Sequence, residues 1–222
     1  MEISIDESLR LLYPDLNVGV VVIRDVVNKD FDPALESRKR EAESFIRGNL
    51  VDFSSLPRVK SYNKFYKRYE KKFPIEFQLK SVISGKQIPT VSVLVESMFL
   101  SELLNQVLVA GHDLECLEGG LVVGLARGGE EYVKINNETQ IIKKDDIILN
   151  DANGVVASVL YGPDFRTRVT RHTVNVAYIA YFLYDFSDED IRKAMQDIAD
   201  NVLISNPEAK VSLVRIVKFD GL

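Results

Sequence analysis

Residues that could carry out chemistry are few in this chain, and they gather between residues 89 and 132. His112 is one of only two histidines, and it stands beside Asp113 in a segment that the sequence predicts to be a tight polar loop. A loop histidine can orient a water molecule or move a proton at neutral pH. It can equally do no more than bond the local backbone, and both interpretations are open.

Cys116, the only cysteine, offers a second kind of chemistry. A thiol paired with His112 or His172 would be a nucleophile. A cysteine between Leu114 and Leu117 is more typical of a small buried residue, and that interpretation is favoured. A single cysteine also excludes an internal disulfide framework and fits a reducing compartment.

Several common catalytic machineries are absent from the sequence. It has no G-x-S-x-G elbow, no phosphate-binding loop ending in Lys-Ser or Lys-Thr, and no spaced set of cysteines and histidines. The glycines at 124, 128 and 129 do not match a dinucleotide-binding fingerprint and are better explained as turn residues. We therefore predict no metal site and no cofactor.

A helix and a strand must position this stretch. Apolar residues recur at three- and four-residue steps from 91 to 103, the period of a helix with one buried face. The segment through Gly111 is predicted to end that helix and to leave His112 in the loop. The apolar run 121–123 lies between glycines and predicts a short buried strand.

The rest of the chain alternates between strand and helix patterns. The β-branched run 17–27 predicts a buried strand, and Asp32-Pro33 begins a helix to about residue 47 whose charges indicate a solvated face. Ser187 caps a helix to about residue 204. Further strands are predicted at 132–135, 146–150, 155–160, 174–184 and 211–219. The expected fold class is α+β, with mixed or antiparallel sheets and packed helices.

A basic and aromatic segment covers residues 58–73. Its cations are opposed only by Glu70, and four aromatic residues recur at three- and four-residue steps. A helix lying against a core while meeting phosphates needs this pattern, although a solvated helix anchored by its aromatic residues would show it too. A second basic cluster lies on a predicted loop. The candidate RNA-binding residues are Arg58, Lys60, Lys64, Lys67, Arg68, Arg166, Arg168 and Arg171.

Composition limits the class of protein. The chain has 222 residues, 46% of them hydrophobic, which is enough for one domain with a sizeable core. Its net charge of −5 argues against a protein that binds nucleic acid over its whole surface, but it allows a local basic face. We find no secretory signal, and the near-apolar run 176–184 is too short to span a bilayer. A cytoplasmic protein that does not enter membranes is expected.

One pattern within this stretch is similar to a known family. Asp113-Leu114, Gly120, Val123, Ala126-Arg127 and Gly129-Glu130 together fit D-L-x5-G-x2-V-x2-A-R-x-G-E. This pattern resembles the B3/4 domain of the phenylalanyl-tRNA synthetase beta subunit, which edits tyrosine-charged tRNA. Leu94-Val95-Glu96 stands where that family has L-V-D. The resemblance is best over residues 62–184 and implies a B3/4-like fold for one domain of 1–222, in which 185–222 add a helix and the last strand.

The resemblance also implies a site. In the family, binding geometry and a water molecule carry ester hydrolysis without a protein nucleophile. The family's polar recognition groups would fall at Phe99, Ala110 and Ile179, so the polar groups are missing and an apolar pocket is expected. His112 would replace the family's histidine as the group that orients the water. The implied substrate pocket consists of Glu96, Phe99, Ala110, Asp113, Glu130 and Ile179.

By this resemblance the chain is a free-standing relative of the editing domain, without the synthetase's catalytic and anticodon-reading modules. Its expected partner is tRNA or aminoacyl-tRNA, and its expected reaction is the deacylation of mischarged tRNA. Two alternatives are open. One is a non-catalytic module that binds tRNA or a small ligand in the same cleft, and the other is a partner-binding domain with no RNA role.

Overall fold

The computed structural model describes residues 1–184 and 186–219. The helices in this part of the chain are α1 (Pro33–Asn49), α2 (Pro57–Lys67), α3 (Pro74–Ile83), α4 (Val93–Asn105) and α5 (Asp188–Ser205). The strands are β1 (Ile3–Ile5), β2 (Asn17–Arg24), β3 (Leu108–Asp113), β4 (Leu121–Leu125), β5 (Glu131–Val133), β6 (Thr139–Ile141), β7 (Ile147–Asp151), β8 (Gly154–Ser158), β9 (Gly162–Pro163), β10 (Asn175–Phe182) and β11 (Lys210–Val217).

The strands form two main sheets and a hairpin. A four-stranded antiparallel sheet has the order β11-β2-β10-β3, and a five-stranded sheet has the order β1-β4-β7-β8-β9. The second sheet is mixed, because β1 pairs in parallel with β4 while its other pairs are antiparallel. Strands β5 and β6 pair with each other. The α+β prediction with mixed and antiparallel sheets is confirmed.

Strand β2 runs through the centre of the molecule and is buried on both faces. Val18, Val20 and Val22 face the core shared with the five-stranded sheet, while Val21 packs on the opposite side with α4 and α5. On that second side the backbone approaches α5 so closely that a Cβ at Gly19 would lie 2.6 Å from Met195 Sδ. A continuous β-branched run is typical of a strand covered on both faces, which explains why it was predictable.

The prediction that His112 lies in a loop is wrong. Residues 108–113 form strand β3, in which His112 pairs with Ala177 and Asp113 pairs with Val176 of β10. Helix α4 ends at Asn105, and Gln106 makes the sharp turn into β3 with a positive φ of 50°. A strand that follows a helix so closely shows no separate periodicity, and this is why the pattern read as the end of a helix.

The basic segment is also shorter as a helix than predicted. Helix α2 ends at Lys67, and Glu70, with a φ of 57°, turns the chain before α3 begins at Pro74. Proline at the first position of both helices supplies a φ already suited to the helix. The predicted amphipathic pattern is confirmed, since the aromatic residues Tyr62, Phe65 and Tyr66 are buried.

The buried carboxyl of Glu102 leads to a prediction about pH. Burial raises its pKa to about 8, although the Val109 N–H donates to it over 2.8 Å and partly opposes the rise. The folded protein therefore holds a proton that the unfolded chain loses above pH ~4.5. This contribution to stability is complete below that pH and is lost as the pH rises through about 8. We expect the free energy of unfolding to fall between pH 7 and 8.5, by at most ~1.4 kcal/mol per pH unit.

Urea unfolding of the Glu102→Gln variant at these pH values tests this expectation. The amide carbonyl can accept the Val109 N–H, so the variant should fold and show a flatter profile. Burial raises the pKa of Asp146 to about 7, so this carboxyl also titrates in the lower part of the window, but it is present in the wild type and the variant alike and cancels in the comparison. Burial lowers the pKa of His112 to about 4, well below the window. Glu41→Gln, at an exposed position, is the control. Equal slopes for the wild type and Glu102→Gln would contradict the assignment.

Candidate functional site

A small apolar pocket lies between α3, the loop that precedes α4, and α4 itself. Its volume is about 240 Å³, and Phe99 and Glu96 contribute to its wall. Both residues were predicted from the sequence to belong to a substrate pocket. The remaining lining residues are Gln78, Pro89, Val91, Val95 and Met98.

Glu96 shapes this pocket through bonds that occupy its carboxylate. One oxygen accepts the Val91 N–H over 2.6 Å, and the other accepts the ammonium of Lys39 over 2.8 Å. The side chain of Lys39 is fully buried and also donates to Thr90 Oγ1. Because both carboxylate oxygens are engaged, Glu96 anchors the loop before α4 and leaves the pocket apolar.

Ala110 and Ile179 do not line this pocket. They are register partners on β3 and β10, and both are buried in the core shared by the two sheets. Phe99 packs against that core from α4. Phe99, Ala110 and Ile179, which stand at the positions of the family's polar groups, therefore lie in one hydrophobic region. Only Phe99 borders the pocket.

His112 belongs to a buried chain of hydrogen bonds. Its Nδ1 lies 2.7 Å from Thr167 Oγ1, and that hydroxyl donates to Asp164 Oδ1. This bonding assigns the proton to Nδ1, which leaves Nε2 without a hydrogen-bond partner among the described residues. Burial lowers the pKa of His112 to about 4, and the nearby Asp151 opposes that shift. The imidazole is neutral and enclosed, and it does not reach solvent.

Asp113 holds the loop between β9 and β10 against β3. Its Oδ2 accepts the Thr173 hydroxyl over 2.7 Å, and Oδ1 accepts the Glu115 N–H over 3.1 Å. Its own N–H donates to the Thr167 carbonyl. His112 and Asp113 thus both bond to the loop between β9 and β10. Their role in the structure is to hold that loop in place.

Glu130 lies in a different place from the apolar pocket. It borders a groove of about 640 Å³ that also includes Arg127, Gly124 and Lys144. Its carboxylate accepts the N–H groups of Arg127 and Gly128 over 2.6 and 2.8 Å. Burial raises the pKa of Glu130, but these two N–H donors lower it by more and hold it below its ordinary value. The structure therefore separates Glu130 from Glu96 and Phe99.

The basic residues of α2, together with Arg68 directly after it, fall into two groups. Lys60, Lys64 and Lys67 are exposed, and no carboxylate in the described part of the chain forms an ion pair with any of them. Arg68 is exposed but lies over the Tyr13 ring at 5.4 Å from its centre and donates to its hydroxyl. Arg58 is half-buried and bonds to Asp190, so it ties α2 to α5.

The second basic cluster is engaged within the molecule. Arg166 donates twice to Asp151, over 2.8 and 2.9 Å, and also to the Cys116 carbonyl. Arg168 lies 3.5 Å from the centre of the Phe165 ring. Arg171 pairs with Asp30 over 3.4 Å at an exposed position. These contacts leave α2 as the richer source of cations for an external anion.

The comparisons with known proteins agree with this architecture. The family model for the B3/4 domain matches residues 64–202, more than half of the chain. This chain belongs to the B3/4 domain family. The matched range contains α4, β3 and β10, and with them Glu96, Phe99 and His112.

This B3/4 domain is also similar to a solved structure, an N-terminal fragment of the phenylalanyl-tRNA synthetase beta subunit from Pyrococcus horikoshii. The two share 12% sequence identity with a TM-score of 0.51, and the match covers 97% of this chain and 50% of the other. At that identity the likeness shows the fold. The chain spans about half the length of that fragment. No curated protein sequence matches this chain closely enough to count as a relative.

One important residue of this B3/4 domain escaped the sequence prediction. Lys39 was grouped with the solvated charges of α1, yet its side chain is fully buried. A usable signal was present, since Leu35, Lys39, Ala42 and Ile46 follow the three- and four-residue steps of one buried stripe.

Histidine, cysteine and carboxylate side chains in the described part of the chain form no group of three or more arranged to hold a metal ion. None of the described helices has the length and apolar content needed to cross a membrane.

Proposed function

We propose that this B3/4 domain binds tRNA through the exposed face of α2. The observation that carries the proposal is the set of lysines at 60, 64 and 67, which lack acidic partners among the described residues of a protein with net charge −5. A cluster of positive charge on one face of an otherwise acidic protein attracts polyanions to that face. Membership of the B3/4 family and the fold shared with a tRNA synthetase fragment support RNA as the polyanion.

The anchoring of α2 supports the same proposal. Tyr62 is stacked on Phe73 with ring centres 4.4 Å apart, and the Tyr66 hydroxyl donates to the Val159 carbonyl over 2.6 Å. The helix is therefore anchored on one side, while its lysines have no acidic partner among the described residues on the other. Pre-ordered cations lose less entropy when they meet phosphates than cations on a mobile segment would. We place this activity in the cytoplasm.

Deacylation of mischarged tRNA is the second candidate function. The apolar pocket bordered by Phe99 and Glu96 supports it, because its volume of about 240 Å³ suits a single amino-acid side chain. The burial of His112 argues against direct contact between its imidazole and a bound ester. We therefore assign His112 a positioning role, in which it holds the loop at 164–173.

Filter binding with total tRNA at low salt tests the main proposal, and incubation with a panel of aminoacyl-tRNAs tests the second. Binding that falls steeply with salt would support an RNA role. Loss of ester from any member of the panel would add hydrolysis to binding. An absence of tRNA binding at low salt would refute the proposal in favour of a partner-binding domain.

The pocket predicts which esters are hydrolysed. An apolar pocket separates side chains mainly by size, at roughly 1–3 kcal/mol per methylene, and discriminates poorly for a hydroxyl. We expect no preference for tyrosyl over phenylalanyl esters, and a shift toward larger side chains in Phe99→Ala. Single-turnover rates of ester loss give the comparison, with Phe45→Ala, an exposed phenylalanine of α1, as the matched control. Clear selectivity for tyrosyl-tRNA would contradict an apolar site.

A further inference from the structure

A groove of about 390 Å³ runs along the first turns of α2. It brings together residues that are distant in sequence, from the segment before β2, from α2 and from the segment that follows β10. Its lining residues are Asp15, Pro57, Lys60, Ser61, Lys64 and Tyr184. Cations, a hydroxyl group and a carboxylate therefore meet within one concave surface.

Lys60 and Lys64 supply the positive charge of the groove. They are four residues apart on α2 and therefore lie on the same face of the helix. The ammonium of Lys64 lies 5.7 Å from the centre of the Tyr184 ring, and neither lysine forms an ion pair with a described carboxylate. Two unpaired ammonium groups side by side are suited to a phosphate.

Ser61 adds an unused hydroxyl beside the two lysines. Its side chain is only 6% exposed, and Oγ has no hydrogen-bond partner among the described residues. A buried hydroxyl without a partner costs about 1–3 kcal/mol, so such groups are commonly completed by a ligand or a water molecule. A serine on a helix can bond the carbonyl four residues earlier, and Ser61 makes no such bond.

Asp15 adds a carboxylate, a hydrogen-bond acceptor, to a groove whose other charged groups are cations. It is exposed, and its carboxylate pairs with neither lysine of the groove. A carboxylate repels phosphate but accepts hydrogen bonds from hydroxyl groups. A ligand that carries an anion at one end and a hydroxyl at the other satisfies both parts of the groove.

We propose that this groove binds one ribose-phosphate unit of RNA, an inference that rests on the proposed tRNA function. The phosphate lies between Lys60 and Lys64, and the 2′-hydroxyl bonds to Asp15 and to the Ser61 hydroxyl, which turns from its buried position toward the groove that Ser61 lines. Since the 2′-hydroxyl is the group that distinguishes RNA from DNA, the groove selects RNA over DNA of the same sequence.

Fluorescence anisotropy at low salt with a single-stranded RNA and a DNA of identical sequence tests this selection. The wild type should bind RNA more tightly than DNA. Asp15→Ala and Ser61→Ala should each lower the ratio of RNA to DNA affinity, by about threefold to tenfold for one hydrogen bond. Lys60→Ala/Lys64→Ala should weaken both ligands alike. Asp52→Ala, at an exposed carboxylate before α2 and outside the groove, removes the same charge and is the control that keeps the ratio unchanged.

The outcomes separate this inference from the function on which it rests. A wild type that binds tRNA, with an RNA to DNA ratio that neither Asp15→Ala nor Ser61→Ala changes, would overturn the ribose site and leave tRNA binding intact. Undiminished tRNA binding in Lys60→Ala/Lys64→Ala would overturn the phosphate site in the same way. Free ribose 5-phosphate that competes as well as the RNA would identify a small-ligand site instead. A wild type that binds no tRNA would refute both proposals.

Discussion

Replacing Lys60, Lys64 and Lys67 together by alanine is expected to weaken tRNA binding on the order of 100-fold at low salt. Each lysine that meets a phosphate releases condensed counterions, so the loss should come with a weaker dependence on salt. For three contacts the slope of log affinity against log salt should flatten by about 2. Arg68 is left in place because it supports the buried Tyr13.

Filter binding between 50 and 300 mM salt measures both quantities. The matched control replaces Lys80, Arg192 and Lys210, which removes the same charge from exposed residues already paired with carboxylates. That control should keep most of the affinity. An equal loss in both triple variants would mean that net charge, rather than the face of α2, governs binding. Full affinity in the α2 variant would move the interface elsewhere.

Lys39→Met is expected to destabilise the fold by about 3–5 kcal/mol, the usual cost of breaking a buried ion pair by removing one partner. The side chains of Lys39 and Glu96 are 0% and 5% exposed, so the carboxylate left behind cannot be rehydrated without opening the contact between α1 and α4. Glu36, which also accepts from Lys39, would lose the same partner. Methionine preserves the length and volume of the lysine side chain, so the loss reports the charge.

Urea unfolding followed by circular dichroism measures this effect. Adding Glu96→Gln to Lys39→Met removes the stranded charge and should recover part of the lost stability, which a double-mutant cycle quantifies. Lys210→Met breaks an exposed pair with Asp25 and should leave the midpoint nearly unchanged. A Lys39→Met variant as stable as the control would show that the pair contributes little.

The amphipathic segments were predictable from the sequence because their period is local. Tyr62, Phe65 and Tyr66 recur at helical steps, and the β-branched run of β2 marks a strand covered on both faces. The strands predicted at 146–150 and 155–160 correspond to β7 and β8, which pair as a hairpin. Strand β3 was missed, since a short apolar run directly after a helix has no period of its own.

The predictions for the candidate site were likewise correct for some residues and wrong for others. Phe99 and Glu96 were expected in a pocket and do border one, whereas Ala110 and Ile179 entered the core. His112 was expected in a loop at the surface. Its burial follows from pairing with β10 and from the chain of bonds through Thr167 to Asp164, residues more than fifty positions away. No local pattern carries that information.

By itself, the sequence determined the fold class, the family and the basic face of α2, because periodicity, turn residues and motif spacing are properties of neighbouring positions. The tertiary structure alone decided which charges are free. Arg58 meets Asp190, and Arg166 meets Asp151, through contacts that only folding creates, while the lysines of α2 find no such partner in the described part of the chain. An ion pair depends on a distance of a few ångströms between groups remote in sequence, and only the packing of helices and sheets sets that distance.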